Sequence, residues 1–312
     1  MLNYGALSKK PSVFKNFTGL EVPEFDSLNS NIQERYPAFE QKRLARADRK
    51  RAIGAGHPYN LPLTDRLLML LVYYHLYLSS NLMAYLFSLS QTNVLKDIRK
   101  LEPLVSEVLP LPKKQHEKIR RLETLDEIEA MFPGFKAFLD ATEQEVPRPK
   151  AKGKRKTHYS GKKKKHTVKT QITVNEDGLI IHKTGHARGS THDYTLFKHN
   201  HPHLPDNVCL GLDLGYAGIK TDYPELKCEL PFKRKNPGRG KRGVKGPELS
   251  ADQKAFNKAL SKERVVVEHT NSRVKKFHIW ADEFRNRLKN YDIMTDIVCG
   301  LVNFRIAGTM TI

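Results

Sequence analysis

The chain has 312 residues, 39% hydrophobic and 28% charged, which excludes a disordered chain and leaves room for one to three domains with a sizeable core. Lys and Arg number 54 against 34 Asp and Glu, a formal charge of +20, so a polyanionic partner is expected, nucleic acid before membrane. The longest apolar stretch, LLMLLVYYHLYL from Leu67, is too short to span a bilayer. The opening MLNYGALSKK lacks the apolar region of a secretory signal. Three scattered cysteines, Cys209, Cys228 and Cys299, read as reduced core residues of a cytoplasmic protein, not as a disulfide framework or zinc site.

FTGLEVPEFDSL starts the first helix. Thr18 and Glu21 have capping-box spacing, Pro23 suits a first turn, and Phe25, Leu28 and Ile32 recur at helical spacing. KRLARADRKR, Lys42 to Arg51, then places six basic residues in ten, and GAGHPYN follows as a loop. The next 45 or so residues from Leu61 read as three helices. Thr64 caps the first. Ser79 or Ser80 caps the second, with Leu82, Tyr85 and Leu86 on its apolar face. SLS makes a tight turn, and Gln91 to Leu101 forms the third, with Val94, Leu95, Ile98 and Leu101 inside. A short helix, a tight turn and a polar-faced helix compose a helix-turn-helix. In that reading Gln91, Thr92, Asn93, Lys96 and Arg99 face the DNA groove or its phosphates.

The pattern changes from about Thr124. A strand is expected from Ala137 to Val146. HTVKTQITV alternates, with Val168, Ile172 and Val174 on one face; NEDG is a turn, and LIIHKTG is the returning strand. STHDYTLFKHN starts a helix at Ser190 or Thr191. NVCLGLDLGY is apolar on both faces, as a central strand should be. ELKCELPF is a further short strand. Ser250 and Gln253 open a long helix with capping-box spacing. A last helix carries Ile293, Met294, Ile297, Val298, Leu301 and Val302. The order predicts an α+β domain with a mixed sheet. Two more basic stretches interrupt it: PRPKAKGKRKTHYSGKKKKH, ten Lys or Arg in twenty residues, and KRKNPGRGKRGVK, seven in thirteen. The first is expected to be a mobile hairpin loop that includes Lys162, Lys163, Lys164 and Lys165. Three such runs around an acidic centre make a nucleic-acid surface.

That centre is read from three acids. Asp140 sits inside AFLDATEQ, Asp213 ends CLGLD, and Glu268 lies in the basic helix ERVVVEHTNSRVKKF. A carboxylate on or at the end of a sheet strand is costly to desolvate unless it is paired or metal-bound. Each acid singly also has a structural reading, as a capped or hydrogen-bonded residue. Together they fit an acid on the first strand, one at the end of the neighbouring parallel strand, and one on a later helix. Such a set can hold two divalent ions, Mg²⁺ or Mn²⁺, that activate water and stabilise a leaving oxygen in phosphodiester cleavage. At about 100° per residue, Arg264, Glu268 and Lys275 share one helix face, where the two cations could hold DNA phosphates. A plain salt-bridge face fits the same spacing. Asp193, in GSTHDYTLF, is the rival second aspartate. It is read as a helix cap or a group supporting the ligands, whereas Asp213 has no evident local capping role.

At these residues the chain resembles the DDE transposases of bacterial and archaeal insertion sequences, in the group related to Harbinger-type elements. The similar pieces are FLDATEQEV, YSGKKKKHTVKTQ, GSTHDYTLF, LDLGY and RVVVEHTNSRVKKF. Arg264, Glu268 and Lys275 also resemble the Tyr-x2-Arg-x3-Glu-x6-Lys signature of related enzymes, with Ser261 in the tyrosine position. The resemblance implies a ribonuclease-H-like fold with Asp140, Asp213 and Glu268 as the catalytic acids. It also implies metal-dependent cleavage and strand transfer at element ends, double-stranded DNA as partner, and a homodimer on DNA. The expected domains are an N-terminal helix and basic arm at 1–60, a helix-turn-helix at 61–123 and the catalytic domain at 124–312. Two other readings stand beside it: a transposase-derived DNA-binding protein that does not cut, and a nuclease that does not join.

Overall fold

The structure is a computed structural model that describes residues 1–45, 52, 57–234 and 247–310. Most of the basic stretches at 42–51 and 233–245, and part of the loop at 54–60, lie outside the described residues. The chain divides into two compact units, Met1–Leu111 with Arg273–Ile312, and Pro112–Ser272.

The first unit is helical among its described residues. Phe25, Leu28 and Ile32 are fully buried on the helix Val22–Leu44, as their spacing predicts. Its capping box is formed by Glu21 and Glu24 rather than by Thr18 and Glu21. Thr18 instead closes the preceding helix Pro11–Thr18, where its hydroxyl donates to the Phe14 carbonyl at 2.8 Å. The three expected helices are Leu63–Leu76, Ser80–Phe87 and Gln91–Val108. Pro62 precedes the first, so Thr64 lies inside it and does not cap it. Ser79 caps the second by accepting from the Leu82 amide, and Ser90 caps the third. On the second helix the buried residues are Met83 and Phe87, while Leu82 and Tyr85 are exposed. The buried face is therefore one residue off the expected apolar face, at positions 83 and 87. On that third helix Val94, Ile98 and Leu101 are buried and Leu95 is half-buried.

An ion pair ties the first of these helices to the third. Arg66 is 2% exposed, and its Nη2 donates to Asp97 Oδ1 at 2.7 Å. Its Nε donates to both Asp97 oxygens at 2.9 Å, and its Nη1 to the Tyr36 hydroxyl at 3.0 Å. The guanidinium carbon lies 3.7 Å from the centre of the Tyr59 ring. Every charge in this pair is compensated, but neither partner can lose the other cheaply.

The second unit carries a mixed sheet in the order β2-β3-β1-β6-β7, with β4 and β5 also paired to β3. The strands are β1 Lys136–Glu145, β2 Tyr159–Ser160, β3 Lys165–Asn175, β4 Ile180–Lys183, β5 Ala187–Arg188, β6 Cys209–Gly211 and β7 Cys228–Glu229. β1 and β3 run antiparallel over nine residue pairs from Ala137↔Asn175 to Glu145↔Thr167. β6 is parallel to β1, and β7 to β6. The architecture is α+β, as expected from the strand order. One sheet face is closed by an apolar cluster that includes Leu139, Ile181, Phe197, Leu210 and Tyr216. Side chains alternate along a strand, so Phe138 and Asp140 face the other side, where the helix Ala251–Val274 supplies contacts. Ser250 and Gln253 cap that helix reciprocally. The stretch 147–166, expected as a mobile loop, forms the helix Lys152–His158 and the β2–β3 hairpin. Ser160 fixes the hairpin: its hydroxyl accepts from the Lys163 amide, its carbonyl accepts from the Lys164 amide, and Lys164 turns at φ 57°.

The Arg66–Asp97 pair makes a stability prediction. Asp97→Ala strands a buried guanidinium and should lower the unfolding free energy by about 3–5 kcal/mol. Replacing both partners together, Arg66→Met with Asp97→Leu, should recover most of that loss. Denaturant titration of the three variants checks it; equal losses in the single and double variants would show that packing, not charge, holds these helices.

Candidate active site

β1 carries Asp140 at the middle of the sheet, between β3 and β6. The parallel pairing sets Lys136 opposite Cys209, Ala137 opposite Leu210 and Phe138 opposite Gly211. Continuing that register by two residues puts Asp213 opposite Asp140, just past the end of β6. Asp213 is half-buried, and its Oδ1 accepts from the Gly215 amide at 2.7 Å. It therefore caps the short 3-10 helix Leu214–Tyr216, a local role not evident from the apolar run before it.

Asp140 is the perturbed acid of the group. Burial pushes its carboxyl up to about 6, opposed by the positive charge of Arg264 and a hydrogen bond from the Ala141 amide. The negative charges of Asp213 and Asp193 push it further up. The three aspartates and Arg264 thus act on one another electrostatically. Tyr216 lies in the same field; burial and then the three aspartates hold its phenol well above the usual range.

Asp193 is the first residue of the helix Asp193–His199, and His192 is the N-cap. Its carboxylate pairs with Lys169 Nζ at 2.8 Å. Lys169, on β3, is 8% exposed, also donates to the Thr191 carbonyl at 2.7 Å, and lies 3.6 Å from Glu143. Gln171, two residues on, donates to the Asp193 carbonyl and, at 2.8 Å, to the Tyr216 hydroxyl.

On the helix Ala251–Val274, Arg264 is half-buried with its Nε lacking a hydrogen-bond partner. Glu268 is exposed, and among the described residues no ion pair joins it to Arg264. The helix ends at Val274, so Lys275 lies in the turn beyond it rather than on the shared face. The side chain that meets Asp140 is Asn271, whose Nδ2 donates to Asp140 Oδ2 at 2.8 Å. Sequence reasoning passes over Asn271, Lys169, Gln171 and Tyr216. For Asn271 a signal is present: it lies seven residues after Arg264, within about 20° of the same helix face. Lys169, Gln171 and Tyr216 carry no comparable mark.

Among the described residues, no three His, Cys, Asp or Glu side chains lie close enough together to form a complete cation site. The donor chemistry nevertheless suits a hard divalent cation: oxygen atoms of Asp140 and Asp213, a carboxyl held out of its ordinary range by burial, and the buried, unpartnered Asn271 Oδ1.

The expected DNA-facing residues of the first unit, Gln91, Thr92, Asn93, Lys96 and Arg99, are all exposed on the helix Gln91–Val108. Gln91 Nε2 donates to Ser80 Oγ at 2.6 Å, which ties the start of this helix to the one before it. In the second unit Lys162, Lys163, Lys164 and Lys165 are exposed around the β2–β3 hairpin, and Lys165 pairs with Glu145 at 2.7 Å. Among the described residues no helix is long and apolar enough to cross a membrane.

Comparison with known proteins adds an independent line. A family model described as DDE superfamily endonuclease matches residues 139–303, and one described as helix-turn-helix of DDE superfamily endonuclease matches residues 59–111. The chain is 30% identical over 267 residues to a probable transposase for insertion sequence element IS702 from Microchaete diplosiphon, covering 85% of this chain and 88% of the relative. No solved structure matches.

The perturbed carboxyl makes a prediction about stability. Its folded value of about 6 exceeds the ordinary 3.8, so the folded state binds this proton more tightly than the unfolded chain. Stability contributed by that proton is present below the unfolded value and is lost as pH rises through about 6, at most about 3 kcal/mol at roughly 1.4 kcal/mol per unit. In chelator, Asp140→Asn should therefore melt above the parent by a few degrees near pH 8, with the gap closing toward pH 4. A variant less stable than the parent near pH 8 would make Asp140 a structural residue.

Proposed function

Because the chain belongs to the DDE-type insertion-sequence transposases, within the DDE superfamily endonucleases, we propose that it binds insertion-sequence ends and catalyses their cleavage and strand transfer. The observation that carries the reading is the half-buried Asp140 at the centre of the sheet, electrostatically coupled to Asp213 just past the end of the next parallel strand. The sheet order, with three antiparallel strands followed by parallel additions, supports a ribonuclease-H-like catalytic fold. Asp140, Asp213 and Glu268 are the proposed catalytic and metal-holding acids; Glu268 stands exposed on the helix flank beside Asn271. A pair of Mg²⁺ or Mn²⁺ ions there would activate water and stabilise the leaving oxygen. Asp193 serves as a supporting group, since Lys169 already holds its carboxylate.

The remaining roles belong to binding. Arg264 places a positive charge beside the acids, where a DNA phosphate would otherwise be repelled. Lys162, Lys163, Lys164 and Lys165 are sited to hold the DNA backbone, with Lys275 as a further phosphate-binding group. Gln91, Thr92, Asn93, Lys96 and Arg99 read the element ends from the helix-turn-helix. The working form on double-stranded DNA is a homodimer that holds both ends and the target.

Labelled end DNA with Mn²⁺ tests the chemistry. Asp140→Asn, Asp213→Asn and Glu268→Gln should each abolish cutting and joining while end binding stays within about a few-fold, since each removes one charge and little volume. Asp193→Asn should keep measurable cleavage. Normal cutting by the Glu268→Gln variant would remove that residue from the reaction. If the parent binds ends yet neither cuts nor joins, the chain is a DNA-binding descendant without catalysis.

Binding separates the two DNA surfaces. Replacing Gln91, Asn93 and Arg99 together should lower the preference for element ends over random DNA. Neutralising Lys162, Lys163, Lys164 and Lys165 should instead flatten the salt dependence of binding, by about 0.9 in log–log slope for each phosphate no longer neutralised. Fluorescence anisotropy over a salt series measures both, and an unchanged end preference in the triple variant would take the helix-turn-helix out of end recognition.

A further inference from the structure

Asp140 has a partner that the acidic set does not include. Asn271 is 8% exposed, on the face of the helix Ala251–Val274 that meets the sheet. Its neighbour Thr270 is fully buried and donates to the Gly178 carbonyl at 3.1 Å, so the helix is fixed against this unit at that turn. The Asn271 amide nitrogen donates to Asp140 Oδ2 at 2.8 Å, whereas its own Oδ1 is buried with no hydrogen-bond partner. A buried amide oxygen left unpaired is uncommon, because it forfeits its hydration and gains nothing in return. Beside the Asp140 carboxylate, that oxygen suits a hard cation as a neutral ligand, or accepts from a water bound to one.

We propose that Asn271 is a positioning residue of the active site. Its N–H holds Oδ2 of Asp140, sets the carboxylate's orientation, and leaves Oδ1 of that carboxylate to the divalent cation. The choice of an amide is chemically apt. Lysine or arginine in this place would neutralise Asp140 and compete with the cation, and a further carboxylate would add repulsion in a buried setting. An amide donates one hydrogen bond and leaves the charge intact. Groups that orient metal-binding carboxylates in this way act on affinity through the ligand they hold.

The inference rests on the reading of Asp140 as a metal ligand, and the test separates the two. Full-length parent, Asn271→Ala, Asn271→Leu and Asp140→Asn are titrated with Mn²⁺, and free ion is followed by electron paramagnetic resonance. Leu matches Asn closely in shape and keeps the helix packed while removing the donor. Each variant is also melted in chelator and assayed for end-DNA binding. Asn271→Leu is expected to melt like the parent and bind end DNA like the parent. Its Mn²⁺ affinity should fall by about 10- to 100-fold, with cleavage partly recovered at high Mn²⁺. Asp140→Asn should lose the site.

Parent-like Mn²⁺ affinity in both Asn271 variants, with Asp140→Asn unable to bind the ion, overturns the role of Asn271 and leaves the metal reading standing. Parent-like Mn²⁺ affinity in Asp140→Asn overturns the metal reading and this inference with it. A loss of Mn²⁺ affinity that tracks a lowered melting temperature in chelator assigns Asn271 to packing alone, which also overturns it.

Discussion

A carboxylate held at the centre of a sheet is the constraint on which the second unit is built. Asp140 cannot leave β1, because nine residue pairs with β3 and the parallel pairing with β6 fix its strand on both sides. Its burial already raises its proton affinity, so every neighbour must help it stay usable as an anion. The Ala141 amide, the Asn271 amide and the Arg264 charge all act in that direction. Asp213 and Asp193 act against it. Three aspartates thus act at one point of a chain whose net charge is +20. That contrast suits a surface that attracts polyphosphate and an interior point that attracts a cation.

Much of this is legible in the sequence. The apolar run of CLGL marks a central strand, and the sheet follows it. Alternation in HTVKTQITV finds β3 but not its burial, since both of its faces are covered from Thr167 to Asn175. Asp140 and Asp213 are readable as acids in places where acids are expensive. Capping details are less legible. Thr18 has box spacing to Glu21, but Gly19 at φ 76° ends the preceding helix there and moves the start of the next one to Glu21. Leu82, Tyr85 and Leu86 make a valid apolar stripe by composition, and only tertiary packing selects Met83 and Phe87 for burial. The Arg66–Asp97 pair is invisible in the sequence because its partners are 31 residues apart and no local pattern joins them. The helix end at Val274 also cannot be read from the charge pattern, which continues into Lys275 and Lys276.

The long helix illustrates how one sequence pattern can carry two faces. Arg264, Glu268 and Lys275 invite a single charged face, yet the buried positions are Leu260, Val267, Thr270, Asn271 and Val274. Arg264 borders that buried face and Glu268 borders solvent. The helix thereby offers Asp140 a positive field from Arg264 and a neutral hydrogen bond from Asn271, while no cation is in ionic contact with Asp140 among the described residues.

The distribution of ion pairs bears on which aspartates are available to a metal. Asp193 is compensated: Lys169, nearly buried, sits 2.8 Å from its Oδ1. Expelling that ammonium to admit a cation would leave a buried lysine charge facing Glu143 alone, at 3.6 Å. Asp140 and Asp213 have no lysine or arginine in ionic contact among the described residues; the groups that hold them are the neutral donors of Asn271, Ala141 and Gly215. Neutral donors hold a carboxylate in place without discharging it. Of the three aspartates, Asp140 on β1 and Asp213 just past the end of β6 therefore keep carboxylates that no ammonium or guanidinium contacts among the described residues. Asp193 is committed to tying the start of its helix to β3. A carboxylate paired with a buried ammonium must give up that partner before it can bind another cation, a cost that Asp140 and Asp213 do not carry.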